Sequence, residues 1–262
     1  LPQSSQSKTM SKKTCTRRNF LKSAAATTAG LAASSMVKPF DAILYALEPK
    51  KGEGAWYGMG IDIDKCIGCG RCADGCKKEN NVPREPFFFR SWVEQYTIKN
   101  DGEVKVESPN GGIDGFKQSV PNEEIFKSFF VTKLCNHCYK SPCVQVCPVG
   151  ATFETKDGVV LVDDKYCIGC RYCVQACPYG CRYIHPEKKV VDKCTLCYHR
   201  ITKGIQPACV EVCPNEARIF GNLSDKNSAL IKFLKEHTCL VLRPHLNTGA
   251  KVYYNSLSTE VR

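Results

Sequence analysis

Cys135-Asn-His-Cys138-Tyr-Lys-Ser-Pro-Cys143-Val-Gln-Val-Cys147-Pro148 is followed, a short way on, by Cys167-Ile-Gly-Cys170-Arg-Tyr-Cys173-Val-Gln-Ala-Cys177-Pro178. The second run has the spacing C-x2-C-x2-C-x3-C-P, which wraps cubane iron–sulfur clusters. The first is the same run with two extra residues before its third cysteine. Three thiolates on one tight loop supply three corners of a cube. The fourth, on the short helix that follows, points away to a neighbouring cluster. Two interlocked runs therefore make two clusters.

Two further runs flank this pair. Cys66-Ile-Gly-Cys69-Gly-Arg-Cys72-Ala-Asp-Gly-Cys76 keeps the spacing but has Lys77 in place of the proline. Cys194-Thr-Leu-Cys197 is separated by an eleven-residue insertion from Cys209-Val-Glu-Val-Cys213-Pro214. Asp64-Lys65 introduces Cys66 much as Asp164-Lys165 introduces Cys167, which marks an internal repeat. Four runs make sixteen candidate ligands out of nineteen cysteines, and iron in such cores needs soft, anionic sulfur donors. Gly68, Gly70 and Gly169 permit tight turns and close backbone approach to sulfur. Pro148, Pro178 and Pro214 fix the backbone just beyond the fourth ligand.

The competing chemistry is a zinc-tetrathiolate structural scaffold. Zinc sites usually combine two C-x2-C pairs, whereas each run here ends in C-x3-C. A long-range disulfide framework fits such close spacings poorly. Attached c-type haem is excluded because no Cys-x-x-Cys is followed directly by His; His199 comes one residue late. Of the three remaining cysteines, Cys15 has no assigned role and Cys239 reads as core. Cys181 stands four residues after Cys177, where the same offset from Cys147 and Cys213 gives Ala151 and Ala217. That predicts a small buried side chain. His137, His185, His199, His237 and His245 show no metal-binding or nucleophile pairing and read as structural or exposed. Tyr139, Tyr166, Tyr172, Tyr179 and Tyr198, beside the runs, are expected to pack over the clusters and keep water off them.

The formal charge of +11 would ordinarily suggest nucleic acid. Residues 1–50 alone supply +6 of it. Four oxidised clusters, at about −2 each with their thiolates, more than cancel the rest, so nucleic acid is discounted as a partner. Met10, after a polar stretch, is expected to be the initiator. Thr16-Arg17-Arg18-Asn19-Phe20-Leu21-Lys22 and a weakly apolar run to Met36 read as a twin-arginine (Tat) export signal, which carries proteins already folded around their cofactors. The site of action is then periplasmic or otherwise extracytoplasmic. Membrane association would come through partners or a retained N-terminal segment. Beyond residue 50 no apolar stretch approaches the length of a membrane span.

In the body, Ile61–Lys65 reads as a short strand, and Phe87–Ile98 and Phe126–Val131 have strand character. Asn100–Gly102 and Pro109–Gly112 carry turn signals. Ala151–Phe153 and Val159–Val162 flank a hairpin signal at Lys156-Asp157-Gly158. An amphipathic helix is expected at Ser228–Glu236 and a final strand at Val252–Tyr254.

The order of the runs, with Cys177-Pro-Tyr-Gly, Ile184-His185-Pro186, Asp192-Lys193-Cys194, Pro207-Ala-Cys209 and Phe220-Gly-Asn-Leu-Ser-Asp225, resembles the four-cluster, ferredoxin-type electron-transfer subunits of DMSO-reductase-family complexes. It is most similar to exported members of the nitrite-reductase-associated and polysulfide/thiosulfate/tetrathionate-reductase type. The resemblance covers roughly 56–255. It implies an α+β fold of two nested ferredoxin-like modules with a β-rich insertion. The outer module would comprise 51–82 and 186–225, the insertion 83–130, the inner module 131–185 and a C-terminal tail 226–262, after an N-terminal segment of 1–50. It implies four 4Fe–4S clusters: Cys66, Cys69 and Cys72 with Cys213; Cys194, Cys197 and Cys209 with Cys76; Cys135, Cys138 and Cys143 with Cys177; Cys167, Cys170 and Cys173 with Cys147. The expected function is a non-catalytic relay of single electrons in an anaerobic respiratory complex. Its expected partners are a polytopic quinone-interacting membrane subunit and a catalytic (molybdopterin-type) or multihaem cytochrome subunit. No nucleophile or acid–base pair suggests a substrate site of its own.

Overall fold

A computed structural model describes residues 54–261 apart from Pro86; the stretch expected to be an export signal and Cys15 lie outside the described residues. The chain forms β1 (Tyr57–Asp62), α1 (Arg71–Glu79), β2 (Ser91–Lys99), β3 (Val104–Glu107), β4 (Ile125–Leu134), α2 (Pro142–Gln145), β5 (Thr152–Glu154) and β6 (Val160–Val162). There follow α3 (Tyr172–Gln175), β7 (Arg182–Ile184), β8 (Val191–Lys193), α4 (Tyr198–Ile201), α5 (Ala208–Glu211), β9 (Arg218–Asn222), α6 (Ala229–Glu236), β10 (Cys239–Leu240) and β11 (Val252–Asn255). Helices and strands are mixed, as an α+β class requires.

Proline sets the helix lengths around the cysteines. Cys143, Cys173 and Cys209 sit in four-residue helices α2, α3 and α5, and Cys147, Cys177 and Cys213 fall just past their ends. A following proline disfavours helical backbone in the residue before it and cannot donate to the turn behind. Where Lys77 replaces proline, α1 runs on to Glu79 and carries both Cys72 and Cys76. The fourth cysteine is thus helical in one run of four.

One sheet has the order β10-β11-β1-β9, with β1 parallel to β11 and antiparallel to β9. The first strand begins at Tyr57, ahead of the span expected from residue pattern, because Gly58 and Gly60 belong to it. A Cβ at Gly60 would lie 2.7 Å from the Phe233 ring. The two glycines let α6 lie flat on β1, with Leu230 and Phe233 buried. Glycine is a poor strand former, so propensity hides this strand. Residues 229–255 therefore contribute α6, β10 and β11 to the same packed layer.

The second sheet, β3-β2-β4, is antiparallel throughout and comes from the cysteine-free stretch between the first two runs. Asn100–Gly102 makes its first turn, and Pro109–Gly112 forms a 3-10 turn. One face packs on the first cysteine loop: Val93 and Thr132 are buried there, and the Phe130 ring leaves no room for a side chain at Gly68. The opposite face buries Val131 and Tyr96, and is tied by a Lys133–Glu94 ion pair of 2.6 Å and a hydrogen bond from Lys133 to Tyr96 of 3.0 Å. β5–β6 and β7–β8 are two short hairpins. Among the described residues no helix is long and apolar enough to cross a membrane.

Candidate metal centres

Two of the thiol groups surround visible cavities. Cys66, Cys69, Cys72 and Cys213 line one, together with Val93, Thr132 and Arg218. Cys135, Cys138, Cys143 and Cys177 line the other with Val160, Tyr179 and Arg182. In a third group Cys76 faces Cys194, Cys197 and Cys209. Asn80 Nδ2 donates to Cys76 Sγ and to Cys197 Sγ at 3.6 Å each. In the remaining group Cys167 and Cys173 share a small core with Val160, Val191 and Cys143.

The groups abut in a definite order. Cys72 of the first lies within electrostatic reach of Cys209 of the third. Cys194 of the third reaches Cys135 of the second. Cys143 of the second packs with Cys173. The end groups reach the surface, where Cys69 and Cys170 are exposed. In the third group all four cysteines are buried, and in the second all but Cys177, which is half-buried.

Backbone amides reach the sulfurs: Thr152 N donates to Cys147 Sγ at 3.4 Å, Ala217 N to Cys213 Sγ at 3.3 Å, Val191 N to Cys167 Sγ at 3.5 Å and Leu196 N to Cys194 Sγ at 3.3 Å. Such donors stabilise sulfur-borne negative charge. Burial nevertheless pushes the Cys66 thiol up to about 11 and those of Cys138 and Cys194 up to about 12. Burial and the neighbouring thiols raise Cys76 as well. Cys177 moves the other way, to about 5, chiefly because the Cys181 thiol bonds to it and despite its burial. Cys181 is buried as its offset predicts, but it touches a candidate ligand, which the offset alone does not reveal.

The buried charge shows what such a space suits. Arg182, Lys193, Arg218 and Lys251 are all buried and face cysteines. Among the described residues the buried set contains one carboxylate, Asp62. Arg182 Nη2 and Arg218 Nε and Nη1 are buried without any hydrogen-bond partner. Buried cations of this kind require a compensating anion, and thiolate-ligated iron–sulfur cores are anionic. A single zinc ion needs all its ligands about 2.3 Å from one point. Among the described residues no three His, Cys, Asp or Glu side chains are grouped to hold one ion; the thiols stand round a space. The donor set fits clusters.

One expectation meets a different outcome. Tyr166 and Tyr172 are exposed, so they do not seal a cluster from water; Tyr139, Tyr179 and Tyr198 are half-buried. His137 is buried and accepts the Val160 N–H at 3.1 Å, and burial holds it neutral, in keeping with a structural role. The buried Arg182 and Arg218 escaped the pattern of the runs. Each lies five residues past a fourth cysteine, one step beyond the offset that relates Ala151, Cys181 and Ala217.

A family profile described as a 4Fe-4S dicluster domain matches residues 126–223, and another of the same description matches 65–151. The chain is 40% identical to a subunit of tetrathionate reductase from Salmonella typhimurium, over 92% of its own length and 88% of the relative's. It is 42% identical to a subunit of tetrathionate reductase from Archaeoglobus fulgidus, over 80% and 86%. It is also 35% identical to the NrfC homolog of Haemophilus influenzae, over 92% and 94%. The fold and its thiol groups thus define an iron–sulfur protein with 4Fe–4S dicluster domains. The chain belongs to the family of iron–sulfur electron-transfer subunits of respiratory reductase complexes, which are not the catalytic subunits.

Proposed function

We propose that this chain carries single electrons through four 4Fe–4S clusters. They would be held by Cys66, Cys69, Cys72 and Cys213; by Cys76, Cys194, Cys197 and Cys209; by Cys135, Cys138, Cys143 and Cys177; and by Cys147, Cys167, Cys170 and Cys173. The carrying observation is the linear order of the thiol groups, exposed at both ends and buried in the middle. A bound cluster takes up and returns one electron with no bond to break. The residues around it have three tasks. Amide donors and buried cations hold negative charge on sulfur. Val93, Val160 and the β2–β4 face exclude water. The exposed ends leave a short path for electrons to and from a partner.

The pairing of the first run with Cys213 supports the nested arrangement of an outer and an inner ferredoxin-like module, with residues 83–130 inserted between the first two runs. At one end Ile67, 55% exposed, stands between Cys66 and Cys69; at the other Ile168, 65% exposed, stands between Cys167 and Cys170. These apolar tips are the partner contacts. One partner is a polytopic membrane subunit that exchanges electrons with quinone, and the other is a catalytic molybdopterin-type or multihaem subunit. The Arg17-Arg18 signal supports Tat export to an extracytoplasmic site.

Anaerobic purification followed by iron analysis and visible spectroscopy tests this function. The expected result is about sixteen irons per chain with broad brown absorption. A colourless, zinc-loaded chain overturns it in favour of a structural scaffold.

A further inference from the structure

Each junction between neighbouring thiol groups contains a buried cation. Arg182 and Arg218 occupy the same place in the internal repeat, five residues past Cys177 and Cys213, as the first residues of β7 and β9. They are only 5% and 2% exposed. Arg218 lines the first cavity beside Cys72 and faces Cys209 of the adjoining group. Arg182 lines the cavity of Cys135 and Cys143 and faces Cys173. Lys193, 1% exposed, lies at the middle junction, facing Cys143 on one side and Cys194 on the other.

What anchors the two arginines is neutral. Arg182 Nη1 donates to Thr152 Oγ1 at 3.2 Å. Arg218 Nη2 donates to Ser91 Oγ at 2.5 Å and to Thr132 Oγ1. The groups facing them are cysteines, with Cys173 in hydrogen-bonding reach of Arg182 and Cys209 of Arg218, and Tyr254 beside Arg218, not carboxylates. A guanidinium stays protonated at any accessible pH, and no protein acceptor satisfies Arg182 Nη2 or Arg218 Nε and Nη1. Their orphaned N–H groups lie where two anionic clusters would flank them.

We propose that Arg218, Lys193 and Arg182 are inter-cluster bridges, each holding positive charge between two consecutive clusters and raising the reduction potential of both. A cluster gains negative charge when reduced, so a nearby cation favours the reduced form through Coulomb attraction in a medium of low dielectric. Placed at a junction, one cation acts on donor and acceptor alike and keeps the step between them small. This proposal rests on the four-cluster reading above.

The test is a redox titration followed by electron paramagnetic resonance on the purified full chain. It compares wild type with Arg218→Gln, Arg218→Lys and Arg182→Gln. Arg218→Gln is expected to disfavour reduction of the two clusters it touches at least tenfold, which is 59 mV for one electron. The other two clusters should stay in place, and Arg218→Lys should recover most of the shift. Arg182→Gln should move the complementary pair. If Arg218→Gln loses iron, full loading of Arg218→Lys still supports a role for charge. A Lys variant as iron-poor as the Gln variant points to shape alone and overturns the proposal. So do fully loaded Gln variants whose four clusters titrate as in wild type. Iron in the wild-type chain separates the two failures. Far fewer than about sixteen irons sinks the four-cluster reading, whereas full loading with unmoved potentials sinks only the bridges.

Discussion

The end loops and the middle loops of the cysteine array share an opening C-x2-C pair and use it to different ends. At the ends the two residues between the first cysteines are Ile-Gly, at 67–68 and 168–169. The isoleucine points outward and the next cysteine, Cys69 or Cys170, is exposed. In the middle the corresponding pairs are Asn136-His137 and Thr195-Leu196, where His137 and Leu196 are buried and the flanking cysteines with them. Spacing decides that a loop can grip a cluster. The two residues inside the grip decide whether that cluster meets solvent or protein.

Ligand removal breaks the comparison most severely. Cys197→Ser, in the fully buried group, should cost its own cluster and destabilise the neighbours packed on it, with iron falling by well over four atoms per chain. Cys69→Ser should lose about four irons and leave the rest intact. Iron content and thermal melting, measured together, check this. Equal losses from the two variants would mean that burial does not separate middle from end.

Recasting an end tip sharpens it at lower cost. Ile168→Glu with Tyr172→Ser should leave iron content and visible absorption unchanged while slowing electron exchange with a partner by about tenfold or more, since apolar contacts carry much of an interface. Stopped-flow oxidation of the reduced chain by its partner subunit is the measurement. Unchanged rates would remove the tip from the docking surface.

The two end loops also differ from each other. Gly70 has φ +67° and a Cβ there would come within 2.1 Å of Gly112 O, because the β2–β4 insertion folds over this loop. Its counterpart, Arg171, adopts a φ of 68° with a side chain present. Gly70→Ala should therefore destabilise the chain by about 1–3 kcal/mol, whereas Arg171→Gly should be close to neutral. Melting curves of both variants decide it.

The smallest effect is a pH dependence of the iron-free chain. The buried thiols of Cys66, Cys138 and Cys194 have folded-state values of about 11 to 12, above the ordinary 9. A raised value means the neutral thiol is favoured on folding. That contribution is whole below about pH 9 and is lost as pH climbs through 11 to 12. Melting temperature should fall over that window, and less steeply in Cys194→Ala. Iron loading replaces these protons and should release them, which makes loading less favourable in acid.

Much of this could be read from residue order. The sixteen cysteines, the helix-ending prolines and the Lys156-Asp157-Gly158 hairpin are local signals, and local backbone chemistry decides each of them. What stayed hidden depends on contacts between distant segments. β1 is masked by Gly58 and Gly60, whose purpose appears only when α6 lies on them. Tyr166 and Tyr172 look like seals until the loop bearing them proves to be an exposed tip. Arg182 and Arg218 look like ordinary surface residues, because their burial depends on hydroxyls at Thr152, Ser91 and Thr132, supplied from other strands.

The parallel pairing of Met59–Asp62 with Val252–Asn255 has a consequence for biosynthesis. β1 is flanked on both edges only after residue 255 has emerged from the ribosome. The sheet beside the Cys213 end of the array is thus completed only after all four cysteine runs have been made. A chain halted before residue 252 would hold all sixteen of these cysteines and yet lack that edge of the sheet.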